Sequence, residues 1–148
     1  MIDLIRRAST QTPDAPAVIS RAGSLTYAQL AARAEALARG LQARSLTRVA
    51  CVITDPVTLL AVLAATSAVG CEACTYAPQL PDAGIDELAA AFGHTVVVTD
   101  RDLHLAVAEP LLVSELPTEE GELPAPGAAP LMVLTTGTTA RPKAARYD

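Results

Sequence analysis

Nine residues near the end of the sequence, TTGTTARPK from Thr135 to Lys143, combine groups that bind an anion. Gly137 can adopt a positive φ, which lets successive backbone N–H groups turn toward one point. The threonine hydroxyls at positions 135, 136, 138 and 139 add hydrogen-bond donors, and the Lys143 ammonium adds a mobile positive charge. A Gly-Thr-Thr turn taken alone is most often a simple strand end with its lysine in solvent. The complete arrangement predicts a phosphate-binding loop.

This loop differs from two common nucleotide-binding motifs. The P-loop requires G-x-x-x-x-G-K-[ST], whereas Lys143 is preceded by Pro142 and followed by Ala144. The dinucleotide fingerprint G-x-G-x-x-G does not occur in the sequence. The residues therefore indicate a phosphate site of another class.

The elements that must position the loop alternate along the chain. A short amphipathic helix at residues 2–9 precedes a small hairpin of residues 17–20 and 24–26. Thr26 and Gln29 have the spacing of a capping box, which predicts a helix that runs to about Arg44. Further helices are predicted from Asp55 to near Gly70, from Asp82 to Gly93 and, more weakly, at residues 102–108. Strands are predicted at residues 49–53, 72–77, 95–99, 111–113 and 131–135.

Alternation of strands and helices with short connections predicts an α/β fold, a parallel-sheet sandwich with flanking helices. Residues 1–116 would form an N-terminal α/β subdomain, and the Pro-, Gly- and Glu-rich residues 117–130 a surface linker. Residues 131–148 would supply a strand and the phosphate-binding loop, opening a further, incomplete subdomain. The helix from Val57 to Val69 is apolar almost all round, which suggests that more protein packs against it.

Composition limits the function classes. A formal net charge of −5, from 16 acidic and 11 basic residues, argues against binding to nucleic acid or to anionic membranes. The amino terminus lacks the apolar stretch of a signal peptide, and the longest apolar run is shorter than the ~20 residues that span a bilayer. Three cysteines cannot all pair with one another, which favours a reducing compartment and predicts a cytoplasmic protein.

Several other candidate residues have simpler interpretations. Cys71 and Cys74 form a C-x-x-C pattern inside a predicted strand, so buried free thiols are expected rather than a zinc or redox site. His94 and His104 lack the spacing of metal ligands and are expected to be surface or half-buried histidines. Asp100 is interpreted as a helix cap. We therefore predict no metal site and no catalytic residue within this chain.

The nine-residue stretch resembles the phosphate-binding signature of the adenylate-forming superfamily, [ST]-[ST]-G-[ST]-[ST]-G-x-P-K-G. That superfamily includes acyl-CoA synthetases, peptide-synthetase adenylation domains and luciferases. Residues 25–30 (LTYAQL) are similar to its early L-T-Y-x-E-L segment, and residues 61–78 to its A-x-G-A-x-x-x-P segment. This chain has Ala140 and Ala144 where the pattern has glycine. A positive φ at position 140 would cost alanine about 1 kcal/mol.

The resemblance implies the first subdomain of such an enzyme's large N-terminal domain. The enzyme would use ATP with Mg²⁺ to activate a carboxylic acid as an acyl adenylate and would transfer the acyl group to a thiol of CoA or a carrier protein. Its loop would hold the β- and γ-phosphates of ATP. The implied cofactor-binding residues are Thr135, Thr136, Gly137, Thr138, Thr139, Ala140, Arg141 and Lys143.

The superfamily's adenine, ribose and acid-pocket residues, its hinge and its catalytic lysine come later in its sequence. We therefore expect this chain to be an N-terminal fragment that is inactive alone and has the remaining part of the enzyme as its partner, in the same chain or as a split subunit. The alternative is a non-catalytic module that keeps the scaffold and self-associates through exposed apolar faces. The apolar helix at residues 57–69 and Ala140 motivate this alternative.

Overall fold

A computed structural model describes residues 1–21, 23–123, 130–135 and 143–147, with only the backbone of residue 135. The helices are α1 (Ile2–Gln11), α2 (Tyr27–Ala43), α3 (Pro56–Val69) and α4 (Asp82–Phe92), and a 3₁₀ turn covers Val113–Glu115. The strands are β1 (Pro16–Ser20), β2 (Gly23–Thr26), β3 (Arg48–Val52), β4 (Glu72–Thr75), β5 (Val96–Thr99), β6 (Glu109–Leu112), β7 (Leu131–Thr135) and β8 (Lys143–Tyr147).

The strands form a six-stranded sheet of order β6-β5-β3-β4-β7-β8 and a separate two-stranded hairpin, β1-β2. The first five strands of the large sheet are parallel, whereas β8 runs antiparallel to β7. The chain steps from β3 to β4 on one side and then returns to place β5 on the other side of β3. The α/β fold with a mainly parallel sheet is therefore confirmed, while β8 was not predicted.

Helix α2 begins as the sequence predicts. The Thr26 side chain accepts a hydrogen bond from the Gln29 backbone N–H, and the Gln29 side chain accepts one from the Thr26 N–H. These two bonds satisfy backbone donors that the first turn of a helix leaves without partners. The apolar residues at helical spacing then face the core, where Leu30, Ala34, Leu37 and Leu41 are buried.

Helix α3 lies inside this chain's own packing. Of its residues only Pro56 is exposed, and the helix contacts α1, α2 and both strands of the β1-β2 hairpin. The alanines at positions 61, 64, 65 and 68 are all buried, and their small side chains permit close approach of the neighbouring elements. The chain itself therefore covers α3, and the argument for additional protein on this helix loses its support.

Residues 102–108 do not form the predicted helix. Their backbone N–H groups instead donate to two carboxylates of α4, because Asp82 accepts from His104 and Asp86 accepts from Ala106 and Val107. The backbone N–H groups of this segment thus donate to side chains of α4, whereas in a helix they would donate to carbonyl oxygens of the segment itself. The interpretation of Asp100 as a helix cap was accordingly wrong.

Strand β7 pairs in parallel with β4, so residues 131–135 extend the same sheet as residues 48–112. Residues 124–129 of the predicted linker lie outside the described residues, and the division of the chain into subdomains stays a prediction. Cys71 and Cys74 are buried and free, as predicted, and Cys51 is buried and free as well. Burial raises the pKa of Cys74 to about 11. No helix in the described part of the chain has the length and apolar character needed to cross a membrane.

Candidate phosphate site

The described ends of the nine-residue motif are held together by a hairpin. Strands β7 and β8 pair antiparallel, and Thr135 lies directly opposite Lys143 in their register. The Lys143 side chain is exposed. The other predicted site residues, Thr136, Gly137, Thr138, Thr139, Ala140 and Arg141, lie outside the described residues.

This end of the hairpin belongs to the carboxyl edge of the parallel strands. Val133 of β7 pairs with Thr75, the last residue of β4, so Thr135 extends two residues beyond β4. The backbone at Thr135 is therefore level with the loop of residues 76–81 that follows β4. Ligands of open α/β sheets bind at the carboxyl edge, and the predicted phosphate site lies at this edge, although two strands away from β3.

Asp100 fixes another loop at the same edge. One of its carboxylate oxygens accepts hydrogen bonds from the backbone N–H groups of Thr54, at 2.8 Å, and Asp55, at 2.9 Å. The other oxygen lies 3.0 Å from the Thr54 nitrogen. Asp100 follows β5 directly, so this carboxylate joins the end of β5 to the loop that follows β3. The negatively charged Asp100 carboxylate thus holds this loop in place.

The amino terminus of α3 is also occupied by a side chain. Asp55 accepts from the backbone N–H groups of Val57 and Thr58, and its Oδ2 lies 2.6 Å from the Thr58 hydroxyl. That hydroxyl hydrogen bond is the largest influence that lowers the pKa of Asp55, with a smaller contribution from Arg33. The Arg33 guanidinium in turn donates to the Thr58 oxygen at 2.8 Å.

A cleft of about 260 Å³ lies beside this network, between the ends of β3 and β5. At this point the chain changes direction across the sheet, because β4 is added on one side of β3 and β5 on the other. Arg33, Thr58, Thr99 and Asp100 line it together with apolar residues. The N–H donors of Thr54 and Asp55 are already bonded to Asp100, so this end of α3 has few groups left to receive a second anion. The hairpin at Thr135 and Lys143 remains the candidate phosphate site.

Arg101 holds the loop of residues 76–81. Its Nη2 donates to the carbonyl oxygen of Leu80 at 2.8 Å and to that of Pro78 at 3.4 Å. Its Nη1 lies 3.8 Å from a carboxylate oxygen of Asp82, the first residue of α4. The sequence prediction missed this residue, although an arginine two residues after a buried β-branched strand was a usable signal.

The structure corrects the prediction for His94. Its side chain is only 1% exposed, and its Nδ1 lies 2.7 Å from the Tyr76 hydroxyl. Burial is the main cause that lowers the pKa of His94, and the positive charge of Arg48 lowers it further. His104 is exposed, as predicted. Among the described residues no group of three or more His, Cys, Asp or Glu side chains could hold a metal ion.

Comparison with known proteins points to the same family of enzymes that the nine-residue motif resembles. The family model described as "AMP-binding enzyme" matches residues 5–147. The phosphinothricin tripeptide synthetase PhsB of Streptomyces viridochromogenes is 36% identical over 164 residues. That alignment covers 95% of this chain but only 13% of the synthetase.

Two solved structures share the fold. The N-terminal subdomain of Klebsiella oxytoca NpsA, in complex with 3-hydroxybenzoyl-AMSN, superposes with a TM-score of 0.83 at 26% identity. The match covers 99% of this chain and 40% of that one. O-succinylbenzoate CoA synthetase of Bacillus subtilis, in complex with AMP, has a TM-score of 0.81 at 22% identity, with 95% of this chain and 40% of that chain covered. This chain therefore spans less than half of each of these two structures.

Proposed function

This chain belongs to the AMP-binding enzyme family, and we infer from that membership that it supplies the N-terminal part of an ATP-dependent acid–thiol ligase. Members of this family are adenylate-forming ligases. The complete enzyme would join a carboxylate to the α-phosphate of ATP with release of pyrophosphate, and would then pass the acyl group to a thiol with release of AMP. Because the chain spans only 40% of the NpsA N-terminal subdomain that it resembles, we propose that the remaining part of the enzyme is its partner.

One observation carries this proposal. The two described ends of the nine-residue motif, Thr135 and Lys143, lie opposite each other at the carboxyl edge of a parallel sheet. In this arrangement the Lys143 ammonium can reach an anion bound at the same edge. We propose that it stabilises negative charge on the β- and γ-phosphates as pyrophosphate departs. Mg²⁺ would arrive bound to those phosphates.

The thiol is proposed to belong to a carrier protein rather than to CoA. The relative at 36% identity is a peptide synthetase, whereas the CoA synthetase at 22% identity supports the fold alone. The acid itself would be selected by residues beyond those of this chain. A thiolation assay that compares CoA with a carrier protein would test this choice in the assembled enzyme.

Binding of tripolyphosphate, which imitates the phosphates of ATP without its base or ribose, tests the phosphate site directly. We expect saturable binding in isothermal titration, and roughly 10- to 150-fold weaker binding for Lys143→Ala, because a hydrogen bond to a charged group contributes about 1.5–3 kcal/mol. Arg146→Ala is the matched control, since Arg146 is also an exposed cation of β8. Absence of binding, or equal losses for the two variants, would contradict the proposed site.

A further inference from the structure

We propose that the cleft between α2, α3 and the end of β5 binds a small amphipathic monocarboxylate, a molecule with one carboxylate on a compact apolar body. The guanidinium of Arg33 would pair with the carboxylate, and the apolar wall of the cleft would receive the body. This site is separate from the phosphate site proposed above, because β5 and β7 lie on opposite sides of β3 in the sheet.

The cleft lies at the edge of the sheet where this fold class binds ligands. Thr99 ends β5, Leu112 ends β6, and both residues line the cleft, so it opens at the carboxyl edge. Thr58, in the first turn of α3, lines it as well. Ligands of open parallel sheets bind where the strand order reverses, as it does between β3 and β5. Pockets for drug-sized molecules measure about 300–1,000 Å³, so a cleft of about 260 Å³ suits a smaller molecule.

The Arg33 side chain brings to this cleft a positive charge that has no counter-ion in the described part of the chain. Its Nη2 donates to the Thr58 hydroxyl oxygen at 2.8 Å. The half-buried guanidinium makes no other hydrogen bond and no ion pair with the described residues. A guanidinium has five N–H donors in a planar fork that matches a carboxylate. Most of the bonding capacity of Arg33 is therefore available to a ligand.

The chain also holds this guanidinium in place before a ligand binds. Thr58, which accepts the hydrogen bond from Arg33, is itself buried. Its hydroxyl donates to the Asp55 carboxylate at 2.6 Å, and that carboxylate caps α3. A side chain that is already ordered loses less conformational freedom on binding than a mobile one. Arg33 is thus better prepared to bind a carboxylate than a surface lysine or arginine would be.

The carboxylates beside the cleft favour a ligand with a single negative charge. Asp100 lines the cleft, and the backbone N–H groups of Thr54 and Asp55 already donate to it. A phosphate group, with a charge of about −1.5 to −2 at pH 7, would meet Asp100 and Asp55 with one guanidinium to neutralise it. A monocarboxylate, in contrast, is neutralised by Arg33 alone.

The remaining wall of the cleft is mainly apolar. It is formed by Leu37 of α2 and, from the end of β6 onward, by Leu112, Val113 and Pro117. Leu37 and Val113 are part of the buried core, so this wall is a fixed part of the fold. An apolar body placed against it gains free energy in proportion to the apolar area removed from water. The cleft should therefore prefer an amphipathic carboxylate to a simple anion.

An NMR titration with 4-methylpentanoate tests this site. In ¹H–¹⁵N spectra of the chain at pH 7, the amides of Arg33, Thr58 and Ser114 should shift saturably, with an affinity of about 1 mM because the ligand has few atoms. Acetate lacks the apolar body, and 4-methylpentanamide lacks the charge. Each should bind at least about tenfold more weakly than 4-methylpentanoate.

Two arginines of α2 give matched variants. Arg33→Gln removes the charge in the cleft, whereas Arg39→Gln removes an arginine that donates to the Gly121 carbonyl oxygen outside it. We expect at least about tenfold weaker binding for Arg33→Gln and less than a twofold change for Arg39→Gln. Ser114→Asp leaves Arg33 in place and adds a negative charge at an exposed position of the cleft, so it should weaken binding about fivefold. Thermal unfolding verifies that each variant is folded.

Several results would overturn the inference. Absence of saturable shifts in wild type, or equal binding of 4-methylpentanamide, would show that the cleft does not take a carboxylate. Binding by Arg33→Gln within twofold of wild type, or equal losses in the two glutamine variants, would show that Arg33 is not its partner. If Arg33→Gln does not fold, unchanged binding by Ser114→Asp overturns the inference in its place. None of these results depends on tripolyphosphate, so the proposed function stands or fails separately.

Discussion

The imidazole of His94 lies buried against two aromatic rings, with Tyr76 in edge contact at 5.7 Å between ring centroids and Phe92 at 6.3 Å. Its Nδ1 shares a hydrogen bond with the Tyr76 hydroxyl, while its Nε2 finds no hydrogen-bond partner among the described residues. A second N–H on this ring would therefore be buried without an acceptor. The neutral imidazole is the form that this environment favours.

This environment predicts a loss of stability in mild acid. The pKa of His94 is lowered from its ordinary value of 6.5, so the unfolded chain binds a proton that the folded chain resists. The stabilisation is complete above pH 6.5 and is lost as the pH falls toward the folded-state pKa, by at most about 1.4 kcal/mol for each pH unit. Urea unfolding of wild type and His94→Phe at pH 7.5 and pH 5 measures this difference.

The expected result is a smaller loss of unfolding free energy for His94→Phe than for wild type. His104→Gln is the control, because it also replaces a histidine but at an exposed position. A pH dependence of His94→Phe equal to that of wild type would show that other groups cause the acid sensitivity.

At the scale of elements, α2 and the segment after β6 approach each other closely at Gly40. A Cβ placed on Gly40 would overlap the carbonyl oxygen of Leu116. Two further contacts fasten this segment to α2, because Thr118 donates to the Ala36 carbonyl oxygen and Arg39 donates to that of Gly121. The glycine is thus required by packing inside a helix, where alanine would otherwise be preferred.

Gly40→Ala should destabilise the protein by about 1–3 kcal/mol, because the overlap outweighs the helix-propensity gain of about 1 kcal/mol. Gly84→Ala in α4 is the matched substitution. There the nearest atoms to an added Cβ are side-chain carbons at 3.6 Å, so stability should stay equal or rise by up to about 1 kcal/mol. Chemical unfolding measures both, and a Gly40→Ala variant as stable as wild type would contradict the close packing.

Elements with complete local signals were predictable from the sequence. The capping box at Thr26 and the left-handed glycines Gly70 and Gly93, both with φ of 68°, mark helix ends that need no tertiary information. Residues 102–108 were not predictable, because the carboxylates that take their N–H groups come from α4. Strand β8 was missed as well, since its sequence KAARY is short and polar and its pairing with β7 depends on register.

At the scale of the whole molecule, the motif predicted the kind of site but not its surroundings. The sequence brings Thr135 and Lys143 within nine residues, so their nearness was predictable. Asp100 and Arg101 reach loops that are 20 or more residues away, and only the strand order brings those loops together. The network that holds the carboxyl edge therefore could not be read from local spacing.

The chain alone should bind phosphates without completing adenylation. It spans 40% of the NpsA N-terminal subdomain that it resembles, and we propose that groups for adenine, ribose and the acid lie in the remainder of the enzyme. ATP–pyrophosphate exchange with a panel of carboxylic acids should therefore give no acid-dependent signal for this chain, while tripolyphosphate titration still reports binding. Acid-dependent exchange by the isolated chain, abolished by Lys143→Ala, would show instead that the phosphate site and the reacting groups lie in the same 148 residues.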